Sequence, residues 1–325
     1  MRPQLIFVIA FAVLVGLSFV TGQLDPYFYT VLIFIGINMT MATSLNLING
    51  FTGQFSLGHA GFMGVGAYIS AICSTFLTTH GMAASGMSGD IVMLISLLMG
   101  GLVAALTGLA VGIPSLRLKG DYLAIVTLGF NEIIRVLIQN IDFKIGGTSY
   151  VGGARGFAVP QLASFLWVFG IALVAIYFVE NLINSTYGRG FLAVRDDEVA
   201  AEAMGVNTTG FKVRAFVIGS FFAGIGGGLF AHFIQYITPD NFTFLKSIEI
   251  VVMVILGGMG STYGVLLAAI ILTILPEALR EFSEYRMIIY SLMLIVLMIL
   301  RPQGLFGTET INRVFAKRKA AAKGA

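Results

Sequence analysis

The polar residues that could do chemistry in this chain lie within glycine-rich, apolar sequence. Gln54, Ser56 and His59 fall in the stretch NLINGFTGQFSLGHAGFMGVG at 46–66, where Gly53 is one of several closely spaced glycines. Dense glycine unwinds a helix and lets backbones approach closely. An amide, a hydroxyl and an imidazole in such a segment can hydrogen-bond a polar solute, or they can bond a neighbouring helix. The pattern indicates either a solute path or a tight helix contact.

A second segment of the same character, GGMGSTYG at 257–264, interrupts the apolar run 248–275. Paired glycine-broken segments in two halves of a chain are a common sign of a transport path. The run is predicted to dip into the membrane and return, or to cross as two short helices; one kinked span is the alternative. The candidate path residues here are Gly257, Gly258, Gly260 and Ser261.

Catalytic and metal-binding patterns are missing from the sequence. The chain has one cysteine, Cys73, and three histidines without a cysteine–histidine cluster, so neither a disulfide framework nor a metal site is predicted. Gly205 and Gly210 have the spacing of a phosphate-binding loop, but Phe211 stands where its lysine is needed. We therefore expect no enzyme activity and no cofactor, and any ATP that drives this protein must be hydrolysed by another subunit.

Two charged residues fall inside an apolar run. Glu132 and Arg135 stand three residues apart, on one face of a predicted helix over 122–138. Charges within a membrane are costly unless they are paired, so we expect an ion pair that faces the protein interior. A gating or subunit-interface pair and a pair near the end of the span are both open.

The elements that must position these residues are transmembrane helices. Hydrophobic residues make up 57% of the 325 residues and charged residues 11%, whereas soluble domains carry roughly 25% charged residues. The sequence predicts an all-α polytopic bundle with about 8–10 membrane segments, some broken by glycine. We expect one transmembrane domain over 1–307 and a basic cytoplasmic tail over 308–325. The predicted runs are Leu5–Gly22, Phe28–Ile48, Gly58–Leu77, Ile91–Ile113, Tyr122–Ile138, Leu162–Val179, Val213–Tyr236 and Met287–Leu300.

The positions of the basic residues predict the orientation of the chain. The first run is interpreted as a retained helix because no small-residue cleavage site follows it. If the N-terminus is cytoplasmic, about 13 of the 19 Lys and Arg residues lie on the cytoplasmic side, as the positive-inside rule requires. Both termini are therefore expected in the cytoplasm.

The polar loop 188–212 is the most informative extramembrane stretch. Asp196 and Asp197 favour the start of a short helix that ends near Met204, before Gly205. Its small apolar face suits a groove on a soluble partner, or the helix lies on its own protein. The candidate coupling residues are Asp197, Glu198, Ala201, Glu202, Ala203 and Gly205.

Several of these motifs together resemble the membrane permease subunits of branched-chain amino acid ABC transporters, of the LivM type. The resemblance rests on the stretches 46–68, 120–137, 146–156, 189–207, 254–264 and RPQGLFG at 301–307. It implies a bacterial inner-membrane importer in which this chain pairs with a second, homologous permease as a heterodimer. It also implies two cytoplasmic ATPases, a periplasmic substrate-binding protein, and a loop at 189–207 that docks on an ATPase through Glu198, Ala201, Glu202 and Gly205. No nucleic acid partner is expected.

The sequence leaves other functions open. Related permeases carry urea or short amides. A secondary carrier that works without ATPases would require ionisable residues deep in several spans, and Glu132 and Arg135 are nearly the only candidates. A membrane-embedded enzyme would need a catalytic constellation that the sequence does not offer.

Overall fold

The apolar runs of the sequence form long α-helices, because a helix satisfies all its backbone hydrogen bonds within one segment. The computed structural model describes residues 3–21, 25–81, 86–115, 122–145, 148–282 and 285–300. The described residues contain twelve α-helices: α1 Pro3–Thr21, α2 Pro26–Asn46, α3 His59–Thr79, α4 Gly86–Ser115, α5 Tyr122–Asn140, α6 Phe165–Asn184, α7 Gly188–Asp196, α8 Glu198–Ala203, α9 Thr208–Ile234, α10 Phe244–Gly257, α11 Thr262–Ala278 and α12 Arg286–Leu300.

These bounds confirm the predicted all-α polytopic bundle. Six helical segments of the described chain are long and apolar enough to cross a membrane: Pro26–Phe51, His59–Thr79, Gly86–Ser115, Tyr122–Asn140, Phe165–Asn184 and Thr208–Ile234. The α11 helix is apolar but shorter. The predicted basic tail over 308–325 and the motif at 301–307 lie outside the described residues.

The broken run 248–275 forms two helices, α10 and α11, rather than one kinked span. Lys246 near the start of α10 and Glu277 near the end of α11 line the same cavity, so α11 folds back along α10. At a rise of 1.5 Å per residue the two helices are only about 21 and 26 Å long, less than the roughly 30 Å of a bilayer core. The structure thus has the discontinuous element that the glycines predict.

Small residues bring the central helices α3, α4 and α9 into close contact. A β-carbon at Gly66 of α3 would overlap the backbone of Gly224 in α9, and one at Gly227 would overlap the carbonyl of Met63. Close backbone approach is how helices associate in lipid, where the solvent gives little hydrophobic driving force. These three helices form the packed centre against which the other elements are placed.

Two short antiparallel strand pairs, which the sequence analysis did not predict, lie between the helices. One pair joins β1 Asp142–Ile145 to β2 Thr148–Gly152, directly after α5. The other joins β3 Phe157–Ala158, before α6, to β4 Tyr236–Ile237, after α9. Because β3 and β4 are far apart in sequence, their pairing connects the loop after α5 to the end of α9.

Candidate functional site

The first glycine-rich segment forms an irregular loop between α2 and α3. The α2 helix widens into the π-helical turn Leu47–Phe51, and the chain then continues without regular structure to Gly58. Thr52 closes the turn by donating its hydroxyl to the carbonyl of Leu47 across 2.8 Å. Gly53 follows with a φ of 71°, in the left-handed region that glycine adopts without steric cost. The loop therefore needs glycine at this position.

Side chains from neighbouring elements hold the backbone of this loop. Asn49 accepts the amide of Ser56 at 3.2 Å and donates to the carbonyl of the same residue at 3.5 Å. Thr127 of α5 accepts the amide of Leu57 at 3.0 Å. Non-helical backbone is tolerated in a membrane protein where protein groups cover and satisfy it. The loop is thus fixed to the π-helical turn and to α5 by directed hydrogen bonds.

His59 begins α3 in the packed interior, with an exposed fraction of 0%. Its Nε2 atom lies 2.7 Å from the hydroxyl of Ser44 in α2, and the next amide, that of Ala60, donates to Ser247 of α10 at 2.9 Å. Gln54 is also buried, but its side-chain amide has no hydrogen-bond partner within the described residues. In this conformation the start of α3 at His59 is joined to α2 and α10. The buried amide of Gln54 makes no such bond within the described residues.

The second glycine-rich segment forms the turn between α10 and α11. Gly258 has a φ of 96° and Gly260 a φ of 80°, conformations in which other residues are strained. Ser261 then caps α11 by accepting the amide of Gly264 at 3.2 Å. The local sequence therefore ends one helix and starts the next within four residues.

The two glycine-rich segments meet in space. The amide of Gly260 donates to the side-chain oxygen of Asn46 across 2.9 Å. A β-carbon at Gly50 would overlap both the Asn46 side chain and the Gly260 amide. The sequence could not predict this contact, because nothing local connects residues more than 200 positions apart.

Arg195, at the end of α7, covers this meeting point. A β-carbon at Gly53 would lie 3.1 Å from Cγ of Arg195, and one at Gly260 would lie 2.9 Å from its Nη1 atom. The guanidinium also bonds Asp196 at 2.9 and 3.0 Å. We call this cluster the glycine junction; its members are Asn46, Gly50, Gly53, Arg195 and Gly260.

The short helix α8 follows α7 after a sharp turn, close to the predicted span Asp197–Met204. Asp197 caps it by accepting the amides of Val199 and Ala200 at 2.9 and 3.0 Å. After α8, Gly205 turns the chain with a φ of 82°. The capping aspartate and the terminating glycine therefore have the roles in helix geometry that their residue types predict.

The candidate coupling residues face two directions. Ala201 is 6% exposed and faces the membrane domain, and Glu198 forms an ion pair with Lys212 of α9 at 2.5 Å. Val199 and Met204 are 70% and 83% exposed. Asp197, Glu202, Ala203 and Gly205 are exposed as well. The outer side of α8 is therefore free to contact another molecule in the described structure.

Glu132 and Arg135 pair on α5 through a bond of 2.8 Å between Nε and Oε2. Arg135 also reaches the carboxylate of Asp240 at 3.4 Å, in the short helical turn Pro239–Phe242. The side chains of Glu132 and Arg135 are 35% and 25% exposed. The pair therefore lies at the edge of the bundle and links α5 to the turn before α10.

A family model described as the permease component of a branched-chain amino acid transport system matches residues 27–300. The chain belongs to this family of permeases. The match includes both glycine-rich segments and the loop with α7 and α8, so it covers the whole glycine junction. With its six long apolar helices, the permease is a multi-pass membrane protein.

Named relatives of the permease occur in bacteria and archaea. The chain is 35% identical to the permease protein LivM of a high-affinity branched-chain amino acid transport system in Salmonella typhimurium, over 83% of this chain and 67% of that protein. It is 26% identical to a probable LivM of Methanocaldococcus jannaschii, over 89% and 96%. It is also 24% identical to the LivH permease protein of Escherichia coli, over 84% and 92%. No solved structure matches the chain significantly.

Several residues that shape this site in the permease were not predicted from the sequence. Arg195 and Asn46 were not candidates, although they join the predicted segments to one another. Ser44, Thr127 and Ser247 were missed as well, since a single hydroxyl in an apolar helix has no pattern that sets it apart. Arg195 had one local signal, its place beside an acidic pair in the exposed loop.

Proposed function

We propose that this permease forms one half of the membrane path of an ATP-driven importer for branched-chain amino acids. One of two cytoplasmic ATPases docks on α8, a periplasmic binding protein delivers the solute, and alternating access of the permease pair moves it inward. The chain lies in the bacterial inner membrane with both termini in the cytoplasm and hydrolyses no ATP itself. The names of its relatives and the excess of basic residues on the proposed cytoplasmic side support this function.

The observation that carries the proposal is the contact between Arg195 and both glycine-rich turns. The outer side of α8 is exposed, and α8 follows α7 directly, so a force applied to α8 is transmitted to Arg195. Gly53 and Gly260 belong to the two breaks in the membrane helices. A docked ATPase would thus have a direct mechanical route from its surface to the segments that must rearrange.

A second, homologous permease is the partner we propose for α5. This helix has highly exposed apolar residues along its length, including Ile125 at 66% and Leu137 at 56%. It also carries the partly exposed pair of Glu132 and Arg135, and charges facing lipid are costly. A protein surface over α5 would cover this pair. Escherichia coli has relatives of both the LivM and the LivH kind, in agreement with a heterodimer.

Docking on α8 can be tested with two matched methionine substitutions. Met204, just after α8, is 83% exposed, and Met87, at the start of α4, is 81% exposed. Met87 comes after the far end of α3, about 30 Å along this helix from the glycine junction. We would co-express the ATPases and compare their co-purification with wild type, Met204→Asp and Met87→Asp, together with leucine uptake in proteoliposomes.

The expected result is loss of ATPase co-purification and of leucine uptake in Met204→Asp only. Membrane insertion is checked for each variant by its yield in detergent extracts. Equal ATPase binding by both variants would contradict docking on α8. Leucine uptake by wild type without any ATPase would instead favour a secondary carrier.

A further inference from the structure

A cavity of about 290 Å³ opens between α2, α10 and α11, toward the ends of these helices that lie away from the glycine junction. Its lining begins at Tyr27, near the start of α2, and reaches Asn38 of the same helix. Eleven residues of helix correspond to about 16 Å. The cavity is therefore an elongated pocket along the helices, and its volume is that of a small solute.

The outer part of this pocket carries charges of both signs. Lys246 and Glu249 of α10 form an ion pair at 2.9 Å, with side chains 21% and 51% exposed. On the opposite wall, Glu277 of α11 accepts a hydrogen bond from the hydroxyl of Tyr27. An ammonium and two carboxylates thus line one opening, and each retains an exposed part or a second oxygen for a ligand.

The inner part of the pocket is mostly apolar. Phe34, Met253 and Leu272 form its walls, and Asn38 donates to the hydroxyl of Thr273 at 2.9 Å. Small-ligand sites commonly combine an apolar body with a few placed polar groups. A ligand that fits here has an aliphatic part and a charged end.

A larger cavity of about 690 Å³ between α1, α4, α6 and α9 provides a contrast. Its walls are lined by apolar and aromatic residues such as Leu98, Ile171 and Phe222, and no charged residue is among the described residues of its lining. That cavity suits hydrocarbon, whereas the pocket between α2, α10 and α11 offers partners for opposite charges.

We propose that the pocket between α2, α10 and α11 binds a free amino acid with an aliphatic side chain. The ligand's ammonium lies against Glu249 and Glu277, its carboxylate against Lys246, and its side chain against Phe34 and Leu272. This inference rests on the proposed function and adds to it a substrate site on this chain. The proposed site requires both the ammonium and the carboxylate of the amino acid. It is therefore expected to exclude solutes that lack either charge.

The same helices connect this pocket to the glycine junction. Asn46 follows Asn38 in α2, and Gly260 lies in the turn that α10 and α11 share. A shift of that turn would move two of the three walls of the pocket. Occupancy of the pocket and the position of Arg195 are therefore expected to depend on each other.

The test is cysteine protection in the full permease, purified with its second permease and the ATPases in lipid nanodiscs. Cys73 is first replaced by serine, and Thr30→Cys then places a thiol in the pocket wall. Leu245→Cys, which is 69% exposed and next to Lys246 but outside the lining, is the matched control. We would measure the rate of labelling by a methanethiosulfonate with and without L-leucine.

We expect leucine to slow labelling of Thr30→Cys about tenfold at ten times its half-protecting concentration, and to leave Leu245→Cys unchanged. Isoamylamine, which lacks the carboxylate, and 4-methylpentanoate, which lacks the ammonium, are each expected to protect at least about tenfold more weakly. Adding Lys246→Met should abolish protection by leucine. Protection that requires phosphatidylethanolamine in the nanodisc but not leucine would overturn the proposal in favour of a lipid site.

Leucine uptake by the same complex, reconstituted into proteoliposomes, separates the two proposals. Uptake without protection of Thr30→Cys overturns the pocket and leaves the proposed function standing. Protection without uptake supports the pocket and counts against the importer. If the preparation shows neither, both proposals fall.

Discussion

The amide of Gly260 and the side chain of Asn46 are joined by a hydrogen bond of 2.9 Å, although 214 residues separate them. The bond ties the turn between α10 and α11 to the end of α2. Because the side chain of Arg195 lies against Gly260 as well, a movement of α7 must either carry both segments or break this contact. The junction is thus a single mechanical unit made from three distant parts of the chain.

Asn46→Ala should weaken this unit. The substitution leaves the buried amide of Gly260 without its acceptor, which costs about 1–3 kcal/mol in free energy of unfolding. Thr40→Val is the control, since Thr40 is buried in the same helix and, among the described residues, its hydroxyl donates to the carbonyl of Gly36 at 3.1 Å. Thermal unfolding in detergent measures the stability of each variant. Leucine uptake measures how well ATPase action is still coupled to transport. Equal loss of stability in the two variants would contradict a special role for Asn46.

Gly260→Ala and Gly205→Ala separate backbone strain from crowding at the junction. The two glycines have φ values of 80° and 82°, so alanine meets the same conformational penalty at either position, about 1–2 kcal/mol. At Gly205 a β-carbon meets open space, whereas at Gly260 it would lie 2.9 Å from Arg195 and 3.1 Å from the Gly50 carbonyl. We expect Gly260→Ala to destabilise the permease more and to reduce uptake more. Indistinguishable unfolding temperatures would show that the junction can open to admit a methyl group.

Most of the membrane helices could be predicted from the sequence because the signal is local. The run predicted over Tyr122–Ile138 ends within two residues of α5, Tyr122–Asn140, and the break near 258 is marked by closely spaced glycines, which have low helix propensity. The length and the apolar character of a segment are enough to predict a helix that spans a membrane. The end of α8 was predictable for the same reason, since Gly205 acts on its own neighbours.

The helix α7 and the glycine junction depend on tertiary contacts and could not be predicted. Gly188 and Gly190 lower the helix propensity of α7, yet it forms because Gly190 lies directly against the ring of Phe211 in α9, where a β-carbon would overlap. Arg195 becomes part of the site only once this contact fixes the direction of α7. Which side of α8 is buried was likewise open, because Ala201 and Ala203 differ only in what lies next to them.

Gly227 and Gly170 provide a test of how the central helices are held. A β-carbon at Gly227 would overlap the carbonyl of Met63, whereas at Gly170 in α6 it would meet nothing within 4 Å. Gly227→Ala should therefore force α3 and α9 apart and sharply reduce the yield of folded protein. Gly170→Ala should stabilise the permease by roughly 0.5–1 kcal/mol through helix propensity. Size-exclusion profiles and unfolding temperatures in detergent measure both effects, and a well-folded, stable Gly227→Ala variant would contradict the close α3–α9 contact.

Glu198 is a candidate for ATPase contact, yet it pairs with Lys212, whose side chain is only 10% exposed. If the pair fixes α8 on α9, Glu198→Gln leaves a poorly solvated cation without its partner and destabilises the permease. Removing the cation too, in Glu198→Gln/Lys212→Met, should recover most of that stability, because replacing both charges is commonly much less harmful than breaking the pair. ATPase co-purification should recover in the double variant together with the unfolding temperature. If stability recovers but ATPase binding does not, Glu198 contacts the ATPase directly, and its role is recognition rather than placement of α8.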